Sequence, residues 1–135
     1  MTVTGIDRFG GGMMERVQTI IYKYKRIIYI DFSNLSSFMM PEIIRVIEEA
    51  KQAIHSNPPG SVLTLTNVTS LFFNKEILDM MIRYVTDNKS YVKAGAIIGA
   101  EGLRKIAVNS AEKFSMRDLH LFDNEDEAKE WLVAQ

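Results

Sequence analysis

Few side chains in this sequence have the type and spacing for chemistry. Asp31, Asn67 and Glu101 each follow an apolar, β-rich run, and two carboxylates near a carboxamide are a usable set for proton transfer. Hydrolysis or group transfer would also need a nucleophile with a histidine beside it, and nothing in the sequence supplies that pair. Asp and Asn at such places close turns or cap helices, so the trio reads as a polar rim rather than a catalytic centre. His55 and His120 stand far apart with no ligand-spaced acids around either, which argues against a shared metal. Gly99-Ala100-Glu101-Gly102, followed by Leu103-Arg104-Lys105, would offer backbone donors and two cations to an anion. It lacks the lysine and hydroxyl of a P-loop and the third glycine of a dinucleotide fingerprint, and Glu101 would repel phosphate. Two glycines in a tight strand-to-helix turn account for it more simply.

Composition narrows the field further. The 135 residues contain no cysteine, which removes thiol nucleophiles, disulfide scaffolds, thiolate zinc sites and iron–sulfur clusters together. The 47% hydrophobic content is that of an ordinary globular domain. A net charge of −1 gives no electrostatic footprint for a nucleic-acid backbone or an anionic membrane. Residues 1–26 carry five basic and two acidic groups, residues 118–135 one and six, and the acidic end reads as one solvated helix face. The expectation is therefore a non-enzyme with no cofactor, no nucleic-acid partner and no membrane insertion.

The longest dense apolar run, Ile27 to Phe32, already contains Asp31, far short of a membrane span. Met1 to Gly12 holds Asp7, Arg8 and four glycines and lacks the apolar core of a signal peptide, so the cytoplasm is the expected compartment. Gly10-Gly11-Gly12 reads as a joint, which places a flexible segment over 1–14 and a single domain over 15–135.

The elements that must position these residues follow from hydrophobic period. Val17 to Lys23 and Arg26 to Phe32 are β-rich runs separated by only Tyr24-Lys25, too short for a crossover, so they form an antiparallel hairpin. Ile27-Ile28-Tyr29-Ile30 is nearly continuous, as in a strand buried on both faces. Pro41 and Glu42 open a helix with Ile43, Ile47, Ala50 and Ile54 on one side, and Asn57-Pro58-Pro59-Gly60 stops it. His55 lies in its last turn. Ser61 to Thr66 is a third strand. Asn74 caps a second helix with an inner stripe of Ile77, Leu78, Met81 and Val85. Tyr91 to Ile98 is a fourth strand, and Glu101 to Phe114 a helix through Leu103, Ile106, Ala107, Ala111 and Phe114. Leu119 to Phe122 is a short fifth strand, and Asp123 caps a last helix that packs Trp131 on it. The order ββαβαβαβα implies an α/β fold: a mainly parallel sheet of about five strands, an antiparallel first edge strand and four helices.

In an open parallel sheet, ligand sites lie beyond the carboxyl ends of the strands. Two of the loops there are unusually apolar and carry Phe38, Met39, Met40, Leu71, Phe72 and Phe73. Loops normally run over the surface and are polar, so these six side chains either plug the top of the core or form a docking patch.

Five stretches carry a family resemblance. They are Ile27-Ile28-Tyr29-Ile30-Asp31-Phe32-Ser33, Leu63-Thr64-Leu65-Thr66-Asn67-Val68-Thr69, Asn88-Lys89-Ser90-Tyr91-Val92-Lys93-Ala94, Ile98-Gly99-Ala100-Glu101-Gly102-Leu103, and Phe122-Asp123 with Glu127-Ala128-Lys129-Glu130-Trp131-Leu132. In order and spacing, over about residues 15–134, they resemble the small bacterial and archaeal STAS-like domains. These are relatives of anti-sigma-factor antagonists and, by fold, of CRAL-TRIO lipid-binding domains. The resemblance implies a βα superhelix with an antiparallel first strand.

It also implies a regulatory role, with one departure. Anti-sigma antagonists carry an Asp-Ser pair at the start of the helix after the third strand, where phosphorylation adds about −1.5 to −2 of charge at a helix N-terminus. The matching positions here are Phe72 and Phe73, or Phe73 and Asn74, which offer no hydroxyl. Thr69 and Ser70, earlier in the loop, are the candidate phosphorylation sites. The function expected is a non-enzymatic interaction module that docks a protein partner, or a second copy as a homodimer, through the apolar loops. The alternative is a CRAL-TRIO-like binder of an apolar small molecule such as a lipid, which requires an enclosed pocket of several hundred Å³.

Overall fold

The computed structural model of the chain describes residues 15–102, 105, 106, 108, 109, 113 and 119–135. Strands β1 (Val17–Tyr22) and β2 (Lys25–Asp31) form the antiparallel hairpin, followed by a 3-10 turn (Ser37–Met39) and helix α1 (Met40–His55). Then come β3 (Val62–Asn67), α2 (Lys75–Asn88), β4 (Val92–Ile98), β5 (Leu119–Phe122) and α3 (Glu125–Val133). The sheet has the order β1-β2-β3-β4-β5, antiparallel at β1–β2 and parallel elsewhere. The described residues thus form an α/β fold with a five-stranded mixed sheet and three α-helices, one helix fewer than expected. The helix expected over 101–114 falls largely outside the described residues, although Lys105, Ile106, Val108, Asn109 and Lys113 are each helical. The expected flexible segment over 1–14 also lies outside them.

Alternation along the strands divides the core between two faces. Ile28, Ile30, Phe32, Val62, Ile97 and Leu119 pack under α1 and α2, against Ile43, Val46, Ile54, Ile77 and Met81. Ile27, Leu63, Leu65, Ala96 and Ile98 pack on the opposite face under Ala128 and Leu132 of α3. The continuous run in β2 is thereby explained, because each side of the strand meets a helix.

The hairpin turn lies one residue earlier than expected, at Lys23 and Tyr24, with φ of 48° and 69°. Two consecutive left-handed residues match the right-handed twist of the strands, a geometry usually supplied by Asn-Gly. In α2, Leu78 is only half-buried, and the inner stripe passes instead through Ile77, Met81, Tyr84 and Val85. The cap of α3 is Asn124 rather than Asp123, its side-chain oxygen accepting from Glu127 N at 2.9 Å. Ile106, expected on a buried stripe, is exposed, and Val108 is buried in its place.

Candidate functional site

The loops after β2 and β3 are joined by main-chain hydrogen bonds that prolong the parallel pairing past the strands. Phe32 N donates to Asn67 O (2.9 Å), Asn34 N to Thr69 O (2.9 Å) and Phe72 N to Leu35 O (2.9 Å). Both loops are therefore held as one surface rather than left to move separately.

Within it the six apolar side chains divide. Leu71 is fully buried, and Met40 and Phe73 are half-buried against the core under α1 and α2. Phe38, Met39 and Phe72 point outward, with 97%, 47% and 57% of their surface exposed. Ile44, in the first turns of α1, is exposed as well. Sequence reasoning missed Ile44, which sits one position away from the buried stripe of its helix.

The polar residues at this end are engaged in local structure. Asp31 and Asn67 are register partners on β2 and β3. The Asp31 carboxylate accepts from Ser33 N at 2.8 Å, and Arg16 lies 3.7 Å away while donating to the carbonyls of Asp31 and Ser33. Asn67 Oδ1 accepts from Thr69 N (3.0 Å) and Thr69 Oγ1 (2.6 Å), and its Nδ2 donates to the Tyr29 hydroxyl at 3.1 Å. Burial pushes the Tyr29 hydroxyl pKa up, opposed by that hydrogen bond. Both side chains close two-residue turns, as short polar side chains after strands do. Glu101 is exposed in the loop after β4, three residues beyond the last strand residue, Ile98.

Of the hydroxyls, that of Thr69 is donated to Asn67, whereas Ser70 is exposed with a left-handed φ of 57°. Asn74 caps α2, its side-chain oxygen accepting from Ile77 N at 2.8 Å. Gly99 has a φ of +81° and lies against Thr69, so a tight turn and a close approach account for it. Arg104, one of the two cations that an anion site at this turn would use, lies outside the described residues.

The ring partners of the two histidines belong to opposite faces of the sheet. His55 stacks on Tyr91 at 4.3 Å between ring centres and hydrogen-bonds the buried Asn88 side chain at 2.9 Å. His120 packs on Trp131 at 4.2 Å, and Trp131 also meets Phe122, so the tryptophan packs on β5. Among the described residues no group of three or more His, Asp or Glu side chains is placed to hold a metal ion. No helix among them is long and apolar enough to cross a membrane.

Beneath Phe73 the described residues line an apolar cavity of about 50 Å³, walled by Phe32, Met81, Tyr84, Gly95, Val108 and Leu119. A cavity of roughly 150 Å³ admits a benzene ring, and drug-sized ligands occupy roughly 300–1,000 Å³. This one is below both.

Two solved structures are similar along almost their whole length. An uncharacterised protein of the DUF3478 family with a SpoIIAA-like fold, from Shewanella loihica, aligns with 90% of this chain and 99% of its own at 18% identity and a TM-score of 0.61. An anti-sigma-factor antagonist (STAS) domain protein from Planctomyces limnophilus aligns with 87% of this chain and 97% of its own, at 12% identity and a TM-score of 0.58. No family model and no curated protein matches the sequence. The chain accordingly has the SpoIIAA-like, STAS-type fold.

Proposed function

We propose that this STAS-type chain is a non-enzymatic regulatory module that docks a protein partner through the outward side chains of the loops after β2 and β3. The observation that carries the reading is the exposure of Phe38, Met39 and Phe72 on loops tied together through Leu35 and Phe72. Exposed aromatic rings on a mobile loop would lose ordering entropy on binding. On a surface already held in place that cost is small. Each aromatic side chain can bury roughly 150–250 Å², and burial contributes about 25 cal/mol per Å² before the costs of association. Asp31 and Asn67, at the ends of β2 and β3, offer no free acid–base pair, since both are committed to turns. The likeness to a STAS domain protein supports a regulatory role in the same sense.

The test replaces the outward residues only. Phe38→Ser with Phe72→Ser should leave the circular dichroism spectrum and melting temperature nearly unchanged. The double variant should lose the proteins that co-precipitate with the tagged wild-type chain, measured quantitatively by mass spectrometry. Retention of the same partners at the same abundance overturns the reading. Phe73 is kept intact, because it packs against the core.

A further inference from the structure

The outer edge of β1 is the longer of the two sheet edges, and its sequence is complementary to itself. We infer that two copies of this chain pair through β1, antiparallel, about a two-fold axis at Thr19, so that their sheets run on as one.

The direction of the main-chain groups comes first. Asp31 N donates to Arg16 O at 2.7 Å, which makes Arg16 and Asp31 a hydrogen-bonded pair of the hairpin. In an antiparallel ladder such pairs alternate, so Gln18, Ile20 and Tyr22 also turn their N–H and C=O groups toward β2. Val17, Thr19 and Ile21 turn theirs outward, where among the described residues no strand pairs with them. Thr19 and Ile21 are exposed, and Ile21 leaves 64% of its surface open.

Natural edges are usually blunted by a charge, a proline or a bulge. Val17–Tyr22 has no charge and no proline, and its pairing with β2 is regular throughout. At the other edge β5 is only four residues long.

Register is then decided by side chains. A shift by one residue would set outward groups against inward ones and forfeit the hydrogen bonds. Centred on Thr19, the pairing places Val17 opposite Ile21 and Gln18 opposite Ile20, with Thr19 opposite itself. Centred on Gln18 it would set Ile21 against Glu15, and centred on Ile20 it would set Val17 against Lys23. Of these three centres only Thr19 sets Val17 against Ile21, an apolar pair of the kind that stabilises a sheet, and keeps both clear of the flanking charges. Ile21 of the second copy would then stand beside Val17, at the edge of an open groove of about 420 Å³ between β1 and α1, whose lining also includes Ala53 and the charged Glu15, Arg45 and Glu49. The interface is isologous and closes after two copies.

Charge exchange at the axis tests it in the full-length chain. The wild type should sediment at twice 15.4 kDa. Thr19→Lys alone and Thr19→Glu alone each set like charges face to face and should be monomers, with dimer affinity reduced about tenfold or more. Mixed in equal amounts, the two variants should regain the doubled mass, which also shows that both are folded. Ile21→Asp, at the second exposed position, should be monomeric too. The Phe38→Ser, Phe72→Ser double variant should remain dimeric, so failure of the loop-docking reading is told apart from failure of this one. A wild type that stays at 15.4 kDa up to about 1 mM overturns the inference. So does a dimer that survives Thr19→Lys, or a mixture that stays monomeric.

Discussion

Gly99 lies directly against Thr69: a β-carbon added to residue 99 would stand 2.1 Å from Thr69 Oγ1, 2.6 Å from its amide nitrogen and 2.7 Å from its Cα. The contact holds the loop after β4 against the loop after β3, on the surface that presents Phe72. Gly99→Ala should therefore lower stability by about 2–4 kcal/mol, from the left-handed φ and the collision together. Thr69→Ala should not rescue it, because two of the three blocking atoms belong to the backbone. Urea denaturation of the single and double variants checks both statements.

Leu71 and Phe72 are adjacent in sequence and opposite in environment. Leu71→Ala should cost about 2–5 kcal/mol, as buried leucines do, whereas Phe72→Ser should change stability by roughly 0.5 kcal/mol or less. Equal losses in thermal melts would show that Phe72 belongs to the core.

The cap of α3 distinguishes two neighbouring residues of similar chemistry. Asn124→Ala should cost about 1 kcal/mol through loss of the bond to Glu127 N, and Asp123→Ala far less. Denaturant midpoints at equal m-value decide between them.

Tyr24 is fully exposed with a φ of 69°, so its side chain contributes nothing by burial while its backbone is strained. Tyr24→Gly should raise stability by about 1 kcal/mol, the left-handed penalty being partly offset by the entropy of a freer unfolded chain. A lower melting temperature in the glycine variant would count against the turn geometry.

The bottom of the hairpin is tied to α3 by a cluster that titrates at both ends of the pH scale. Lys23 Nζ lies 2.7 Å from Glu130 Oε1, and the Tyr22 hydroxyl donates to the other carboxylate oxygen. The hydrogen bond from Lys23, then that from Tyr22, lowers the Glu130 pKa below its ordinary 4.5. Bonding to Glu130 raises Tyr22 above 10.0 and Lys23 above 10.5. The Glu130 contribution is thus present above pH 4.5 and is lost as pH falls through the lowered value. Those of Tyr22 and Lys23 are present below their ordinary values and are lost as pH rises through the raised ones. Glu130→Gln should flatten both limbs of the stability profile, read as urea midpoint against pH.

The fold was largely legible because its signals are periodic. Ile27 to Ile30 has too few polar positions for a one-sided strand, and Ile43, Ile47, Ala50 and Ile54 repeat at the helical period. The two-residue connection allowed only an antiparallel hairpin. The misplaced cap has a physical cause. Asp123 and Asn124 are both good caps, and the choice was made by where β5 ends, which follows from the pairing of Phe122 with Ile98. The candidate site was legible as a set of residues, but not in its division into inward and outward members. Loops have no period, so nothing local separates Phe72 from Phe73.

What the sequence determined by itself is the inventory: no thiol, two separated histidines, one mainly parallel sheet, and an excess of apolar side chains in two loops. Each follows from residue type or from spacing within a dozen residues. The tertiary structure alone decided that Phe38 and Phe72 face outward, that Asp31 and Asn67 are committed to turns, and that Val17, Thr19 and Ile21 turn their main-chain groups away from β2. Those outcomes depend on contacts between Leu35 and Phe72, Thr69 and Gly99, and Arg16 and Asp31. Such partners meet only when the sheet has assembled, so no local pattern encodes them.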